Sequence, residues 1–297
     1  MASGKPRNQA LEALRIVAAL GIVAFHAHAP GYDVAYAGLV VFLILAPMFE
    51  TGANWHRRRS LRDLAVTLLI PWLFWFLVYA AINMMRGRAM IPMESGLFAG
   101  ILTGPSPHLW FLPFLFVTLL AINIFKRAGG TAPFVFWLSS AAVVILLLLA
   151  PDLRTTIVSS PSPFSQWLHA LPAILLGMAL GSAERVRHGR WIVLPVAAVM
   201  IPILTGDVAG FDPSYPLGFV LVVIAAWLGG RMIPAGVSVE PVSRLMMGVY
   251  LVHPLALMAF SPILAVNQIV GVFIAFVAST VSVWLARRIV SVSGWVL

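Results

Sequence analysis

The sequence predicts an all-α protein: a polytopic transmembrane helical bundle of about ten helices. Hydrophobic residues make up 61% of the 297-residue chain, charged residues only 10%, and the mean hydropathy is +0.98. A soluble domain carries about a quarter charged residues, so this chain belongs in a membrane. Apolar segments recur along the whole length without a soluble module or a low-complexity linker. We therefore predict a single membrane-embedded domain over residues 1–297.

The spans follow from the lengths of the apolar runs, at about 20 residues for each crossing. In order, the predicted spans are Leu11–Ala29, Val34–Gly52, Leu64–Met85, Leu109–Phe125, Ala132–Ala150, Phe164–Ser182, Trp191–Thr205, Pro213–Leu228, Leu245–Leu264 and Gln268–Leu285. Helix-breaking residues interrupt the seventh and eighth spans, namely Pro202, Gly206, Gly210, Pro213 and Pro216. These two spans are the least regular of the set.

The placement of charge predicts the orientation of the spans. With a cytoplasmic N-terminus, most of the 19 Lys and Arg residues fall in cytoplasmic loops. The exceptions are Arg15, inside the first span, and three residues on the outer side, Arg86, Arg88 and Arg154. Because basic residues accumulate on the cytoplasmic side, we expect both termini in the cytoplasm. The net charge of +9 then reflects membrane orientation and argues against a nucleic-acid partner.

The chain contains no cysteine. Disulfides, thiolate metal sites and a cysteine acyl-enzyme intermediate are therefore excluded. Among the other residue types, no spacing typical of a metal site stands out, so we expect no metal.

The first span carries ionisable residues, which mark function in a membrane helix. Arg15 and His26 lie eleven positions apart, about 3 turns or roughly 16 Å, on nearly the same helix face. With Glu12 they predict a line of polar groups along one wall of a cavity. An imidazole in apolar surroundings stays neutral, which suits a general base. The alternative is a histidine that is hydrogen-bonded between helices. His28 projects from roughly the opposite face.

The first span has one other interpretation. Ala27-His28-Ala29 resembles a signal-peptidase site after a basic start and an apolar run, and cleavage there would remove His26. However, Glu12 and Arg15 interrupt the apolar region, and the later spans need a cytoplasmic start. We therefore expect a retained first helix.

A basic cluster, Arg57-Arg-Arg-Ser-Leu-Arg62, lies between the second and third spans. Arg59 and Arg62 lie three positions apart, on one face if the third helix starts there. Guanidinium groups bind phosphates bidentately, so Arg58, Arg59 and Arg62 predict a site for an anionic cytoplasmic ligand such as a nucleotide-bearing cofactor. The alternative is a membrane anchor whose side chains reach the lipid headgroups.

Two further segments place histidine and aromatic side chains in the outer half of the membrane. His108 and Trp110 open the fourth span, where such residues also serve as interface anchors. Tyr250 and His253 share one face of the ninth span, and Pro254 frees a backbone carbonyl nearby. The alternative there is a kinked helix with a hydrogen-bonded histidine. A transmembrane group transfer requires this arrangement, with candidate bases in the outer half of the membrane and phosphate-binding groups at its cytoplasmic side.

Taken in order, these segments resemble the acyltransferase 3 family of integral membrane O-acyltransferases. The matching motifs are Leu11-Glu-Ala-Leu-Arg15 with His26, Arg59-Ser-Leu-Arg62 followed by Ile70-Pro71-Trp72, His108-Leu-Trp-Phe-Leu-Pro113, and Tyr250-Leu-Val-His253-Pro254. No single motif is specific to the family, but the four motifs in this order are. The chain departs from the family pattern at two points. Glu12 replaces the usual Asp, and Ala46-Pro47 replaces the usual Ser-Gly.

The resemblance implies a multi-pass enzyme of the bacterial inner membrane that performs O-acetylation of polysaccharide. Its co-substrate is acyl-CoA, with acetyl-CoA expected, and its acceptor is a hydroxyl of an extracytoplasmic or lipid-linked glycan. Membrane lipids are the other expected partners. The expected roles are catalysis by His26, Arg15 and Glu12, acyl-CoA binding by Arg59, Arg62 and Arg58, and acceptor binding by His108, Trp110, Tyr250 and His253.

Two alternatives remain open. Transfer is either direct, with neutral His26 as the base, or passes through an acyl-histidine intermediate. A transporter or flippase for an anionic or sugar-bearing lipid also fits the residues, with arginine and histidine as substrate and proton-relay sites.

Overall fold

The computed structural model of the protein describes residues 8–193, 214–227, 229, 234 and 236–289. The described part of the chain is helical and contains no strand, which confirms the predicted all-α class. In chain order the helices are α1 Gln9–His26, α2 Tyr32–Ala35, α3 Ala37–Thr51, α4 Leu61–Leu64, α5 Ile70–Met85, α6 Leu97–Thr103, α7 Phe111–Arg127, α8 Ala132–Leu148, α9 Ala150–Ser159, α10 Phe164–Ala183, α11 Ser214–Trp227, α12 Glu240–Ser243, α13 Met246–Ala259, α14 Ser261–Val266 and α15 Gln268–Ile289.

Five stretches among the described residues are long and apolar enough to cross a membrane: Gln9–His26, Tyr32–Thr51, Leu61–Met85, Phe164–Arg185 and Gln268–Ile289. Shorter apolar helices occupy Ala132–Leu146, Ser214–Trp227 and Met246–Ala259. The chain is thus a helical protein with several candidate membrane spans. The larger count of spans and the cytoplasmic termini stay predictions.

Several predicted spans differ from the helices in their bounds. The first ends at His26 instead of Ala29, because His28 adopts a left-handed backbone with φ of 50° that does not continue a helix. The second and ninth are each divided into two helices, at Tyr36 and Phe260. The predicted seventh span lies outside the described residues beyond Val193, as do Arg231 and both chain ends.

The third span contains an irregular segment. Between α4 and α5, residues Ala65–Leu69 form a π-helical stretch, and the Ile70 N–H donates to the Ala65 carbonyl five residues back. Pro71 follows directly and has no N–H to donate. The wider turn keeps one continuous apolar span from Leu61 to Met85.

The described residues fall into two compact units. The terminal unit comprises the chain up to Phe42 and from Ser214 onward, and the central unit runs from Leu43 to Val193. Helix α3 begins in the terminal unit and ends in the central unit. Whether they act as a single domain stays a prediction.

Small residues allow the helices of the terminal unit to approach closely. A Cβ added to Gly38 would lie 2.2 Å from the Ala18 carbonyl oxygen, and one added to Gly21 would lie 2.8 Å from the Ala35 oxygen. The start of α1 is fixed by Asn8, which caps the helix and donates to the Ala225 carbonyl at 2.9 Å. Close backbone packing of this kind replaces the hydrophobic driving force that helices lack in lipid.

The central unit uses the same device between α3 and α10. Gly177 and Gly181 lie four positions apart on α10. Added Cβ atoms there would lie 2.2 Å from the Ile44 oxygen and 2.3 Å from the Met48 oxygen. The two helices therefore meet backbone to backbone at both positions.

Candidate active site

Helix α1 carries a buried carboxylate that holds an arginine. Glu12 is only 5% exposed. Arg15 Nη1 donates to Glu12 Oε2 at 3.1 Å, one turn along the helix. Ser243 of α12 donates its hydroxyl to the same carboxylate oxygen. The arginine is therefore oriented by a carboxylate that a second element also fixes.

Ser243 was not among the predicted site residues. It lies 231 positions from Glu12, and a lone serine carries no spacing signal. Only the packing of α12 against α1 brings the two together.

The other end of α1 brings two histidines together. The rings of His26 and His253 have centroids 5.1 Å apart, and His253 of α13 is fully buried. The Phe25 ring contacts the His26 ring edge-on at 5.2 Å. Arg15 and His26 lie on one continuous helix, as predicted, about 16 Å apart along its axis.

The backbone next to His253 fixes its tautomer. Pro254 lies inside α13 and has no N–H for the Tyr250 carbonyl, four residues back. His253 Nδ1 lies 2.7 Å from that carbonyl oxygen. Since a carbonyl only accepts, Nδ1 carries the proton, and the neutral ring has its lone pair on Nε2. The predicted release of a carbonyl by Pro254 is confirmed.

The prediction for His28 was wrong in its premise. His28 does not belong to α1, which ends at His26, so it has no position on a helix face. It is exposed, and its ring contacts Tyr32 with centroids 5.5 Å apart. That His28 does not serve the same site as His26 stays a prediction.

The basic cluster lies in the central unit, and its geometry differs from the prediction. Ser60 caps α4 by accepting from the Asp63 N–H at 3.0 Å, and the Asp63 carboxylate accepts from the Ser60 N–H at 3.0 Å. The helix therefore begins at Leu61. Arg59 precedes the helix, so the two arginines Arg59 and Arg62 do not share a helix face, contrary to the prediction.

Arg59 is nevertheless the most constrained member of the cluster. It is half-buried, whereas Arg57, Arg58 and Arg62 are exposed. Its Nη2 donates to Thr67 Oγ1 at 3.1 Å. Burial lowers the pKa of the Arg59 guanidinium, and the nearby Glu50 carboxylate opposes that shift. Arginine stays charged in proteins, so the cluster remains cationic.

Next to this cluster lies a buried ion pair that the sequence analysis missed. Lys126 Nζ donates to Glu50 Oε1 at 2.6 Å. Asn123 Nδ2 donates to the same oxygen at 3.0 Å. Glu50 did carry a signal, since it is an ionisable residue at the end of a long apolar run.

The remaining predicted site residues of the central unit are buried. His108 Nδ1 lies 2.9 Å from Ser106 Oγ, and its ring meets that of Tyr79 at a centroid distance of 5.2 Å. Trp110 packs against Phe111 and Phe114. Its burial fits an interior aromatic residue better than an interface anchor.

The predicted site residues are thus divided between the units. The terminal unit holds Glu12, Arg15, His26, Tyr250 and His253, and the central unit holds Arg58, Arg59, Arg62, His108 and Trp110. Within the described residues, no group of three or more His, Asp or Glu side chains is placed to hold a metal ion.

A family model described as an acyltransferase domain matches residues 8–288, nearly the whole chain. No curated protein matches the chain, and no solved structure does. The matched range covers both the Glu12–Arg15 network and the basic cluster.

Proposed function

The chain belongs to the acyltransferase 3 family of membrane acyltransferases, and from that premise we propose its donor, acceptor and catalytic groups. The proposed reaction moves an acetyl or other acyl group from cytoplasmic acyl-CoA to a hydroxyl of an extracytoplasmic or lipid-linked glycan. The contact between His26, on the helix that also carries Arg15, and His253 of α13 is the observation that carries this proposal. Polysaccharide modification at the bacterial inner membrane is the expected setting.

The proposed chemistry uses His26 as a general base. The acceptor oxygen attacks the thioester carbonyl carbon while the neutral His26 ring takes its proton. The C–S bond then breaks, and the protonated imidazole returns the proton to the leaving CoA thiolate. The products are the ester and free CoA. His253 contacts the His26 ring and restricts its orientation, which favours a productive geometry.

Arg15 supplies positive charge on the same helix. We propose that it anchors the donor on its way to His26, or stabilises charge part-way along that path. Its ion pair with Glu12 supports this role, because a guanidinium held by a buried carboxylate keeps one orientation. Glu12 is then a positioning residue.

The basic cluster is the proposed binding site for the phosphates of acyl-CoA. Arg57, Arg58 and Arg62 are exposed, and Arg59 is half-buried beside them. Guanidinium groups recognise phosphate oxygens bidentately. His108, Trp110 and Tyr250 are the proposed acceptor-side residues, supported by their predicted position in the outer half of the membrane.

The experiment is acyl transfer by the purified protein in liposomes with labelled acetyl-CoA inside. We expect CoA release that depends on an acceptor fraction, and label in an envelope glycan. Mass analysis of glycans from cells with and without the gene identifies the modified hydroxyl. A protein that moves a lipid across the bilayer while acetyl-CoA stays intact is a transporter or flippase, and that result overturns the proposal.

A further inference from the structure

The central unit contains a buried polar cluster that the proposed chemistry does not use. Glu50, Asn123 and Lys126 are 2%, 1% and 3% exposed. Glu50 lies at the end of α3, and the other two lie one turn apart on α7. An ion pair at this depth is costly unless its members are fully hydrogen-bonded. We refer to these three residues as the clamp.

The hydrogen bonds of Lys126 show what the clamp holds. An ammonium group has three donors. Three acceptors lie within 3.0 Å of Nζ: Glu50 Oε1 at 2.6 Å, the Arg57 carbonyl at 2.8 Å and the Asn54 carbonyl at 3.0 Å. Two of the three belong to the backbone of the segment between α3 and α4. Since its donors are used in this way, Lys126 fixes that segment and does not itself reach a ligand.

Asn123 continues the same pattern. Its Oδ1 accepts from the Arg59 N–H at 2.9 Å, while its amide group donates to Glu50 and to the Leu119 carbonyl. Arg127, one turn beyond Asn123 on α7, donates to the Arg59 carbonyl at 3.0 Å. Both backbone polar groups of Arg59 are therefore bound to α7.

These contacts hold the backbone of the basic cluster at Arg57 and at Arg59. The backbone is held at Asn54, Arg57 and Arg59, whereas the side chains of Arg57, Arg58 and Arg62 extend into the exposed surface. A site that is rigid before the ligand arrives loses less entropy on binding. A buried ion pair is weak evidence for stability alone, because an apolar pair serves as well.

We propose that Glu50, Asn123 and Lys126 are positioning residues that hold Arg57–Arg62 in the geometry that binds the phosphates of acyl-CoA. The inference rests on the proposed function of the basic cluster. It assigns a role to three residues that touch neither the acyl group nor the acceptor.

The test replaces Asn123 by Leu, which has a similar size but neither accepts from Arg59 nor donates to Glu50. The KM for acetyl-CoA should rise on the order of tenfold, as expected for the loss of a buried hydrogen bond, with kcat at saturating acetyl-CoA unchanged. Transfer from S-acetyl-pantetheine, which lacks the phosphate-bearing nucleotide, should be unaffected. A merely structural role would lower both transfers equally, and that outcome overturns the proposal.

A double-variant cycle with Arg59→Lys shows whether the clamp acts through the cluster. If it does, the combined loss of affinity is smaller than the sum of the two losses. Strict additivity overturns the positioning role. If Arg59→Lys and Arg62→Lys leave the affinity for acetyl-CoA unchanged, the proposed function of the cluster fails first and the clamp's role falls with it.

Asn83→Leu is the control, at a half-buried asparagine of α5. Asn83 also holds a loop through its amide, which donates to the Pro105 carbonyl at 2.8 Å. The same substitution there should leave the KM for acetyl-CoA unchanged. Should Asn123→Leu fail to accumulate, Glu50→Gln keeps the shape and removes the charge, and it should raise the same KM. A Glu50→Gln variant with wild-type KM overturns the proposal.

Discussion

The polar residues of the terminal unit are oriented by partners on other elements. The Ser243 hydroxyl on α12 donates a hydrogen bond to the Glu12 carboxylate, and the His26 ring contacts the ring of His253 on α13. A catalytic group contributes most when its geometry is fixed before substrate arrives. The proposed catalytic residues therefore have partners that restrict their orientation, even though these partners are distant in sequence.

Replacing His26 tests the base directly. His26→Ala should lower the rate of acyl transfer by on the order of 10²-fold or more, the usual contribution of a positioned base. The protein should still insert, because one imidazole at a helix contact is worth only about 1 kcal/mol. The measurement is labelled acetyl transfer per folded protein in liposomes.

His28→Asn is the control for this variant. Asparagine tolerates the left-handed backbone at that position, and the His28 side chain is exposed and contacts the ring of Tyr32. Most activity should remain. Loss of transfer in His28→Asn together with full transfer in His26→Ala would identify His28, and not His26, as the general base.

Ser243 offers a second test at this scale. Ser243→Ala removes a buried donor from the Glu12 carboxylate and should lower the free energy of unfolding by about 1.5–3 kcal/mol, the range for hydrogen bonds to charged groups. Thermal unfolding in detergent measures it. Ser279→Ala is matched in burial, but Ser279 donates only to the Ala275 carbonyl of its own helix, so its effect should be smaller. Equal effects would remove the special role of Ser243.

Single residues were predictable from sequence where the cause is local. The effect of Pro254 on the Tyr250 carbonyl depends on five consecutive residues of one helix, and it appears as expected. The bond between Ser243 and Glu12 and the pair of Glu50 and Lys126 depend on helices that meet only in the folded chain. No spacing rule reaches across such separations.

At the scale of elements, contacts between helix backbones explain which helices can meet. Gly181 faces α3 so closely that its added Cβ would lie 2.3 Å from both the Met48 oxygen and Thr51 Oγ1. Backbone atoms cannot move aside as side chains do. The approach of α10 to α3 therefore depends on the absence of a side chain.

Gly181→Ala should destabilise the protein by about 1–3 kcal/mol, the range for overpacking. The direction of this change in stability is informative, because Gly→Ala in an unconstrained helix stabilises a protein by about 1 kcal/mol. Thermal unfolding in detergent measures the change, and Gly181→Leu should be worse. A higher melting temperature for Gly181→Ala would contradict the backbone contact.

The lengths of apolar runs predicted the third span to within three residues, because span length is a local property. The division of the second span at Tyr36 and the π-helical segment Ala65–Leu69 were not predicted. Both are breaks in regularity that leave the hydrophobicity unchanged, so hydropathy alone does not reveal them.

At the scale of the whole molecule, hydrogen bonds inside each unit join segments that are predicted to be cytoplasmic loops. In the central unit, Arg127 at the end of α7 donates to the Arg59 carbonyl at 3.0 Å. In the terminal unit, Arg287 of α15 donates to the Arg244 carbonyl at 3.0 Å. Each contact joins two basic segments that the charge pattern assigns to the cytoplasm.

Two basic segments that touch must lie at the same membrane surface, and the charge pattern predicts that this surface is the cytoplasmic one. A reporter that is active only in the periplasm, fused after Leu297, should therefore be inactive. The same reporter inserted after Arg88, in a loop predicted to be external, should be active and serves as the control. Activity after Leu297 with inactivity after Arg88 would invert the topology. It would also place the basic cluster outside, away from cytoplasmic acyl-CoA, so the same pair of fusions tests the proposed donor side.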